Sequence, residues 1–227
     1  MFTSRFQAWV RRNALRLAAA VARLPVTPNQ VTVAGMLATF VAAALAGFGY
    51  LVPAAIVLAF AGTFDILDGA LARVTRKSYP YGAFLDSTTD RYSEGAIYLG
   101  IAAYFLTHPS SDLTIKVLGC MAALAGSYLV SYVRARAQSL GFKCDVGLFA
   151  RPERVVATVV GLLFPVLLPW VIYLLAVLTN FTAIQRIHEV WLQGRAQRRA
   201  AESASRSRAE PRSSPRDASA APESPPL

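Results

Sequence analysis

The chain has 227 residues, 55% of them hydrophobic and 16% charged, with a formal net charge of +10 and a mean hydropathy of +0.41. That is too apolar and too sparsely charged for a soluble domain, so a membrane protein is the reading that composition leaves. No basic segment carries the aromatic pattern of an RNA reader, and the positive charge fits anionic lipid headgroups rather than nucleic acid.

In chain order, residues 1–26 alternate Arg5, Arg11, Arg12, Arg16 and Arg23 with Phe2, Phe6, Trp9, Val10, Leu15 and Leu17. This suits an amphipathic helix lying in the membrane interface, and the arginines interrupt any signal-peptide core. "TPNQVT" then opens a span, with Thr27 or Asn29 as the helix start and Pro28 in its first turn. Apolar runs of membrane length follow at Val31 to Tyr50, Val52 to Ala72, Ala96 to Leu106 extended back to Gly82, and Leu113 to Val133. Val155 to Leu178 reads equally as one long span or as two short ones hinged at "PVLLPW".

Charge decides between them. Arg73, Arg76 and Lys77 follow the second span, and Arg134, Arg136, Lys143, Arg151 and Arg154 follow the fourth, while the intervening turns are nearly uncharged. Basic connections mark the cytoplasmic side. Arg186, Arg195, Arg198 and Arg199 belong there too, so two spans must separate Arg154 from Arg186, turning near Pro165, Pro169 and Trp170. The expectation is an all-α protein of the cytoplasmic membrane, with six transmembrane helices over 27–194 and both termini inside. Residues 195–227 are Ala, Ser, Pro and Arg with little apolar bulk and read as a disordered basic tail. Cys120, Cys144, His108 and His188 lack ligand or disulfide spacing and read as structural.

Against this greasy background the segment Thr63 to Glu94 is unusual. Asp65 and Asp68 stand i,i+3 near the end of the second span, and Asp86 and Asp90 stand i,i+4 near the start of the third, so each pair shares a helix face. The short connection makes the two helices antiparallel neighbours whose acidic faces converge. Four such carboxylates need compensating cations, and all-oxygen donors select a hard ion: magnesium, manganese or calcium. A structural ion network with Arg73, Arg76, Lys77 and Arg91 is the plainer alternative. Gly69 and Gly82 beside the acids are places where a bulky ligand could approach the backbone. Glu94, one turn past Asp90, either extends the polar face or pairs with an arginine.

The pattern Asp65, two residues, Asp68-Gly69, two residues, Ala72-Arg73, eight residues, Gly82, three residues, Asp86, three residues, Asp90 resembles, without a gap, the signature of the CDP-alcohol phosphatidyltransferase family. The similarity runs from about Thr27 to Trp191. It implies an integral membrane enzyme of six spans, a homodimer, that moves a phosphatidyl or related group from a CDP-linked donor such as CDP-diacylglycerol to an alcohol and releases CMP. It also implies that Asp65, Asp68, Asp86 and Asp90 bind two Mg2+ or Mn2+ ions, that Asp90 serves as ligand or general base, and that Gly69, Ala72, Arg73 and Gly82 bind the nucleotide, assisted by Asn29 and Thr32.

The acceptor is read from the arginines. Ser131, Arg134, Arg151, Arg154 and Arg186 gather on the catalytic side, and arginine forks suit a phosphate monoester on the incoming alcohol. "SYVRARA", "RPER" and "QRIHEVW" resemble the bacterial phosphatidylinositol-phosphate synthases, which implies inositol 1-phosphate as acceptor and Ser131, Arg134, Arg154 and Arg186 as its phosphate pocket. The chain differs from them at Ala150, where they tend to carry an acid. Glycerol 3-phosphate would explain the same arginines, and a divalent-cation transporter would explain intramembrane acids, though a transporter would place them at mid-bilayer with a polar path to both faces.

Overall fold

The computed structural model describes residues 26–75, 79–147 and 150–209, with side chains to 205. The described residues form six helices: α1 (Pro28–Gly47), α2 (Leu51–Val74), α3 (Pro80–Thr107), α4 (Leu113–Ser139), α5 (Arg151–Leu163) and α6 (Leu168–Ala209). No strand occurs among the described residues. The interfacial helix expected over 1–26 falls on residues outside this description, apart from Val26. At the other end α6 continues as helix to Ala209, past the boundary at 195 where the composition suggests a tail; 210–227 lie outside the described residues.

Local chemistry sets the helix starts and turns. Thr27 is the N-cap of α1: its hydroxyl accepts from the Gln30 N–H at 3.3 Å, the Gln30 side chain accepts from the Thr27 N–H at 2.8 Å, and Pro28 occupies the first turn. Gly49, with φ of +87°, makes the tight reversal into α2. At the start of α4, hydrogen bonds from Lys116 and Ser110 hold the exposed Asp112 carboxyl below its usual range. The ambiguous apolar region is two helices, broken at Phe164 to Leu167 around Pro165.

Among the described residues four helices, α1, α2, α4 and α6, are long and apolar enough to cross a membrane. α3 has the length, 28 residues, but its first half carries the acids; α5 has 13 residues, roughly 20 Å of helix against a hydrocarbon core of about 30 Å. Large apolar side chains such as Ile56, Phe60, Leu99, Met121 and Val177 point outward, each more than half exposed, as lipid-facing residues do. The interior is lined instead by small residues, among them Ala42, Ala43, Ala46, Ala54 and Ala55, which let helix backbones approach closely.

Two glycines mark the tightest approaches. A Cβ on Gly100 of α3 would overlap the Ala43 carbonyl of α1, and one on Gly126 of α4 would overlap Thr179 of α6. Asn180 donates across the second contact to the Ala122 carbonyl at 3.0 Å. Gly100→Val is therefore expected to destabilise the fold by about 3 kcal/mol or more, because backbone rather than a flexible side chain must give way. Thermal unfolding of the purified variant in detergent checks this, and an unchanged midpoint would mean that α1 and α3 can separate without cost.

Candidate active site

The sequence-predicted groups lie where α1 begins, α2 ends, α3 begins, α4 ends and α5 begins, with Arg186 reaching them from α6. One cleft of ≈ 230 Å³ is lined by Pro28, Asn29 and Thr32 of α1, Asp68, Gly69, Ala72 and Arg73 of α2, Tyr79 ahead of α3, and Gly82, Ala83 and Asp86 within it. The six residues expected to bind the nucleotide thus share a wall with two of the four acids. Gly82 faces Asn29, since a Cβ there would come within 3.3 Å of the Asn29 side-chain oxygen, and Gly69 faces the Arg73 guanidinium. Neither glycine can carry a side chain without narrowing the cleft.

The four acids face one another from α2 and α3, which are not the directly packed neighbours that the short connection suggests: both helices lie against α1, and the acids come within electrostatic reach at their facing ends. Asp68 is buried and receives a hydrogen bond from the Thr32 hydroxyl at 2.6 Å, which fixes its carboxylate toward the cleft. That hydroxyl also touches the Pro28 carbonyl at 3.1 Å, so the first turn of α1 aims the bond. Asp86 is within electrostatic reach of both Asp65 and Asp68, and Asp90 of Asp65 and Asp86. Among the described residues no three acids, histidines or cysteines are drawn into a tight ligand cluster. Instead Arg151, the first residue of α5, bridges the pairs: one guanidinium nitrogen bonds Asp65 and the other lies 3.0 Å from Asp90. Arg91 adds a weaker contact to Asp90 at 3.4 Å.

This bridge could not be read from the sequence, which shows Arg151 only as one more basic residue 86 positions from Asp65. The site offers carboxylate oxygens, the donor type a hard cation prefers, one of them oriented by the Thr32 hydroxyl and two of them compensated by the Arg151 guanidinium. The Arg151 Nε is buried with no hydrogen-bond partner among the described residues, a position that suits an anionic oxygen.

The residues expected to hold the acceptor phosphate lie on the α4, α5 and α6 side, and the three arginines among them are already engaged. Arg134, exposed at the end of α4 one turn beyond Ser131, pairs with Asp145 at 3.0 Å. Arg154 is buried against Glu94, its Nε 2.6 Å from one carboxylate oxygen and a terminal nitrogen 3.3 Å from the other. Arg186 is buried and donates to the carbonyls of Val130 at 2.6 Å and Val146 at 2.8 Å, tying α6 to the end of α4 and to the loop before α5. Gln193 reinforces that strap by pairing with both backbone groups of Lys143. Arg134 and Arg154 are both within electrostatic reach of Arg186, so the three share one region, but they do not form a bare cluster.

Residues 25–184 match the profile of the CDP-alcohol phosphatidyltransferase family. The chain belongs to this family. It is 40% identical over 174 residues to an archaetidylinositol phosphate synthase of Methanothermobacter thermautotrophicus, covering 74% of this chain and 85% of that one. It is 38% identical over 197 residues to the phosphatidylinositol phosphate synthase of Mycobacterium bovis, covering 82% and 88%. Its fold is similar to crystal structures of the Mycobacterium tuberculosis phosphatidylinositol phosphate synthase at 34% identity and a TM-score of 0.72, one with CDP-DAG bound, covering 79% of this chain and 94% of that one, and one in complex with manganese and citrate, covering 78% and 88%. This CDP-alcohol phosphatidyltransferase is accordingly a phosphotransferase of phospholipid synthesis, and its acid-lined cleft is where the signature of the family lies.

Proposed function

We propose that the enzyme transfers a phosphatidyl group from CDP-diacylglycerol to a hydroxyl of a phosphorylated polyol, inositol 1-phosphate being favoured, with release of CMP. The observation that carries this reading is the two-sided site: a cleft joining Asn29, Thr32, Gly69, Ala72, Arg73 and Gly82 to Asp68 and Asp86 on one flank, and an arginine-rich flank reached through Arg151 on the other. The relatives named as inositol-phosphate lipid synthases support the acceptor, and the relative with CDP-DAG bound supports the donor.

The nucleotide end of the donor lies in the cleft, with Arg73 against its phosphate or cytidine. An apolar groove between α2 and α5, lined by Ala59, Ile66, Val155, Val156, Val159 and Val160 and ending at Asp65 and Arg151, suits the acyl chains. The acceptor phosphate is taken by Arg134 with Ser131, backed by Arg186 and Arg154. The acceptor hydroxyl attacks the phosphorus on the lipid side of the pyrophosphate, its oxygen–phosphorus bond forms as the bond to CMP breaks, and Asp90 accepts the hydroxyl proton. Two Mg2+ or Mn2+ ions held by Asp65, Asp68, Asp86 and Asp90 would neutralise charge on the pyrophosphate and the leaving CMP. The active site faces the cytoplasm, and the protein works as a homodimer.

CMP release by the purified protein from CDP-diacylglycerol, with magnesium or manganese and then with chelator, tests the reading. Inositol 1-phosphate is expected to be turned over about tenfold or more faster than glycerol 3-phosphate, free inositol or serine, because a guanidinium–phosphate bond to the acceptor is lost or misplaced in each alternative. A preference for glycerol 3-phosphate would keep the mechanism and overturn the acceptor. No metal-dependent release with any acceptor would overturn the transfer and return cation transport to consideration.

A further inference from the structure

We propose that the outward face of α6 is a binding site for an anionic phospholipid, its acyl chains lying along an apolar stripe and its phosphate held by Arg195, Arg198 and Arg199. The site is separate from the acid-lined cleft and does not depend on the transfer reaction. α6 turns one face inward, where Ile172, Leu175, Thr179 and Arg186 are buried. The opposite face carries Leu174, Val177, Phe181, Ile184 and Trp191, each about half exposed or more, at the steps of three, four and seven residues that make a single stripe along a helix. Arg195, Arg198 and Arg199 follow Trp191 in the same register, all exposed, so the charge continues the apolar stripe without a change of face. Gln193, on the inward side, exchanges hydrogen bonds with both backbone groups of Lys143 at 3.1 and 2.7 Å, which turns the arginines away from the bundle.

The depth fits a phospholipid. Leu168 to Trp191 is roughly 35 Å of helix, enough to cross a hydrocarbon core of about 30 Å and bring Trp191 to its boundary, where tryptophan is favoured. Arg195 rises about 6 Å beyond that ring and Arg198 and Arg199 about 10–12 Å, and arginine side chains reach back over a headgroup layer about 5–8 Å thick. The Arg195 guanidinium already lies over the Trp191 ring, 4.6 Å from its centre. Arg198 is paired with Glu202 at 2.9 Å, but the pair is exposed and yields readily to a phosphate, while Arg199 has no ion pair among the described residues.

Plain solvation of the helix would not place the charge on one side. From 193 to 205 every charged residue lies on this face, and the rest is Gln, Gly, Ala and Ser. A second copy of the chain is a poor occupant, because a two-fold contact along the stripe would set the three arginines against their own copies. An anionic headgroup supplies the missing opposite charge, and guanidinium forks match its phosphate.

The test measures quenching of Trp191 fluorescence in the full-length protein, with Trp9→Phe and Trp170→Phe to leave a single tryptophan, reconstituted in mixtures where either phosphatidylglycerol or phosphatidylcholine carries brominated chains. The expected result is a binding constant about threefold or more in favour of phosphatidylglycerol, weakened by high salt. It is expected to fall to near onefold in Arg195→Gln/Arg198→Gln/Arg199→Gln and to be largely kept in the matching triple Lys variant. Equal constants for the two lipids in the parent background would overturn the site, as would a preference that survives the triple Gln variant. Weak quenching by both lipids would overturn it in favour of a protein partner on this face. Should loss of the other tryptophans unfold the protein, native mass spectrometry of the otherwise unaltered parent and triple Gln variant, taken from mixed micelles of the two lipids, reads the same preference as retained phosphatidylglycerol. No nucleotide or polyol enters either assay, so failure of the transfer reading would leave this result unmoved.

Discussion

Asp90→Asn is expected to lower kcat by roughly 10³-fold, within the range for losing a positioned general base, while leaving the donor KM within about threefold. The substitution keeps the size of the side chain and one acceptor oxygen, so Arg151 retains a hydrogen bond there and its ion pair with Asp65 is untouched. The cleft proposed to take the nucleotide is bordered by Asp68 and Asp86, not by Asp90, which is why donor binding should survive. Steady-state CMP release across donor concentrations, with donor binding measured separately, reads both quantities. Turnover near the parent's would remove Asp90 from the reaction. A donor KM that rises as steeply as kcat falls would instead make it a binding residue.

Replacing one arginine on each flank should separate the two substrates. Arg73→Ala is expected to raise the donor KM about 10- to 100-fold, the loss that follows from a charged hydrogen bond of about 1.5–3 kcal/mol, with the acceptor KM nearly unchanged. Arg134→Ala is expected to do the reverse, but only by about tenfold, because Arg134 is exposed and already paired with Asp145, which an acceptor phosphate would have to displace. Initial rates over a grid of both substrates decide. If both variants moved the same KM, the two flanks would not be separate subsites, and the assignment of nucleotide to the α1–α2–α3 side would fall with them.

Much of this site was legible before any coordinates. Asp65, Asp68, Asp86 and Asp90 lie at local spacings that put each pair on one helix face, but α2 and α3 are not the close neighbours that their short connection suggests: both pack on α1 instead. Thr27 as a cap and the turn around Pro165 follow from residue chemistry that acts within a few positions. Other features went beyond such reach. The number of spans is a case: charge alternation calls for six, and the described residues form six helices, but α5 with its 13 residues and α3 with its acidic half do not have the length or composition of a simple membrane helix. Composition also marks 195 onward as a tail, whereas the helix propensity of Arg, Ala, Gln and Glu carries α6 on to Ala209.

The arginines show the boundary most clearly. Their presence, their side of the membrane and their suitability for phosphate come from residue type and topology, which one sequence displays. Their partners do not. Glu94 and Arg154 are 60 positions apart, Asp65 and Arg151 86, and Arg186 spends its donors on the carbonyls of Val130 and Val146, 56 and 40 positions away. The sequence by itself determined the helices, the acid signature and the family, because these depend on spacings shorter than one or two helical turns. Only the tertiary structure decided which acid each arginine neutralises, because an ion pair depends on where packing brings two helices together, and no periodicity along the chain records that.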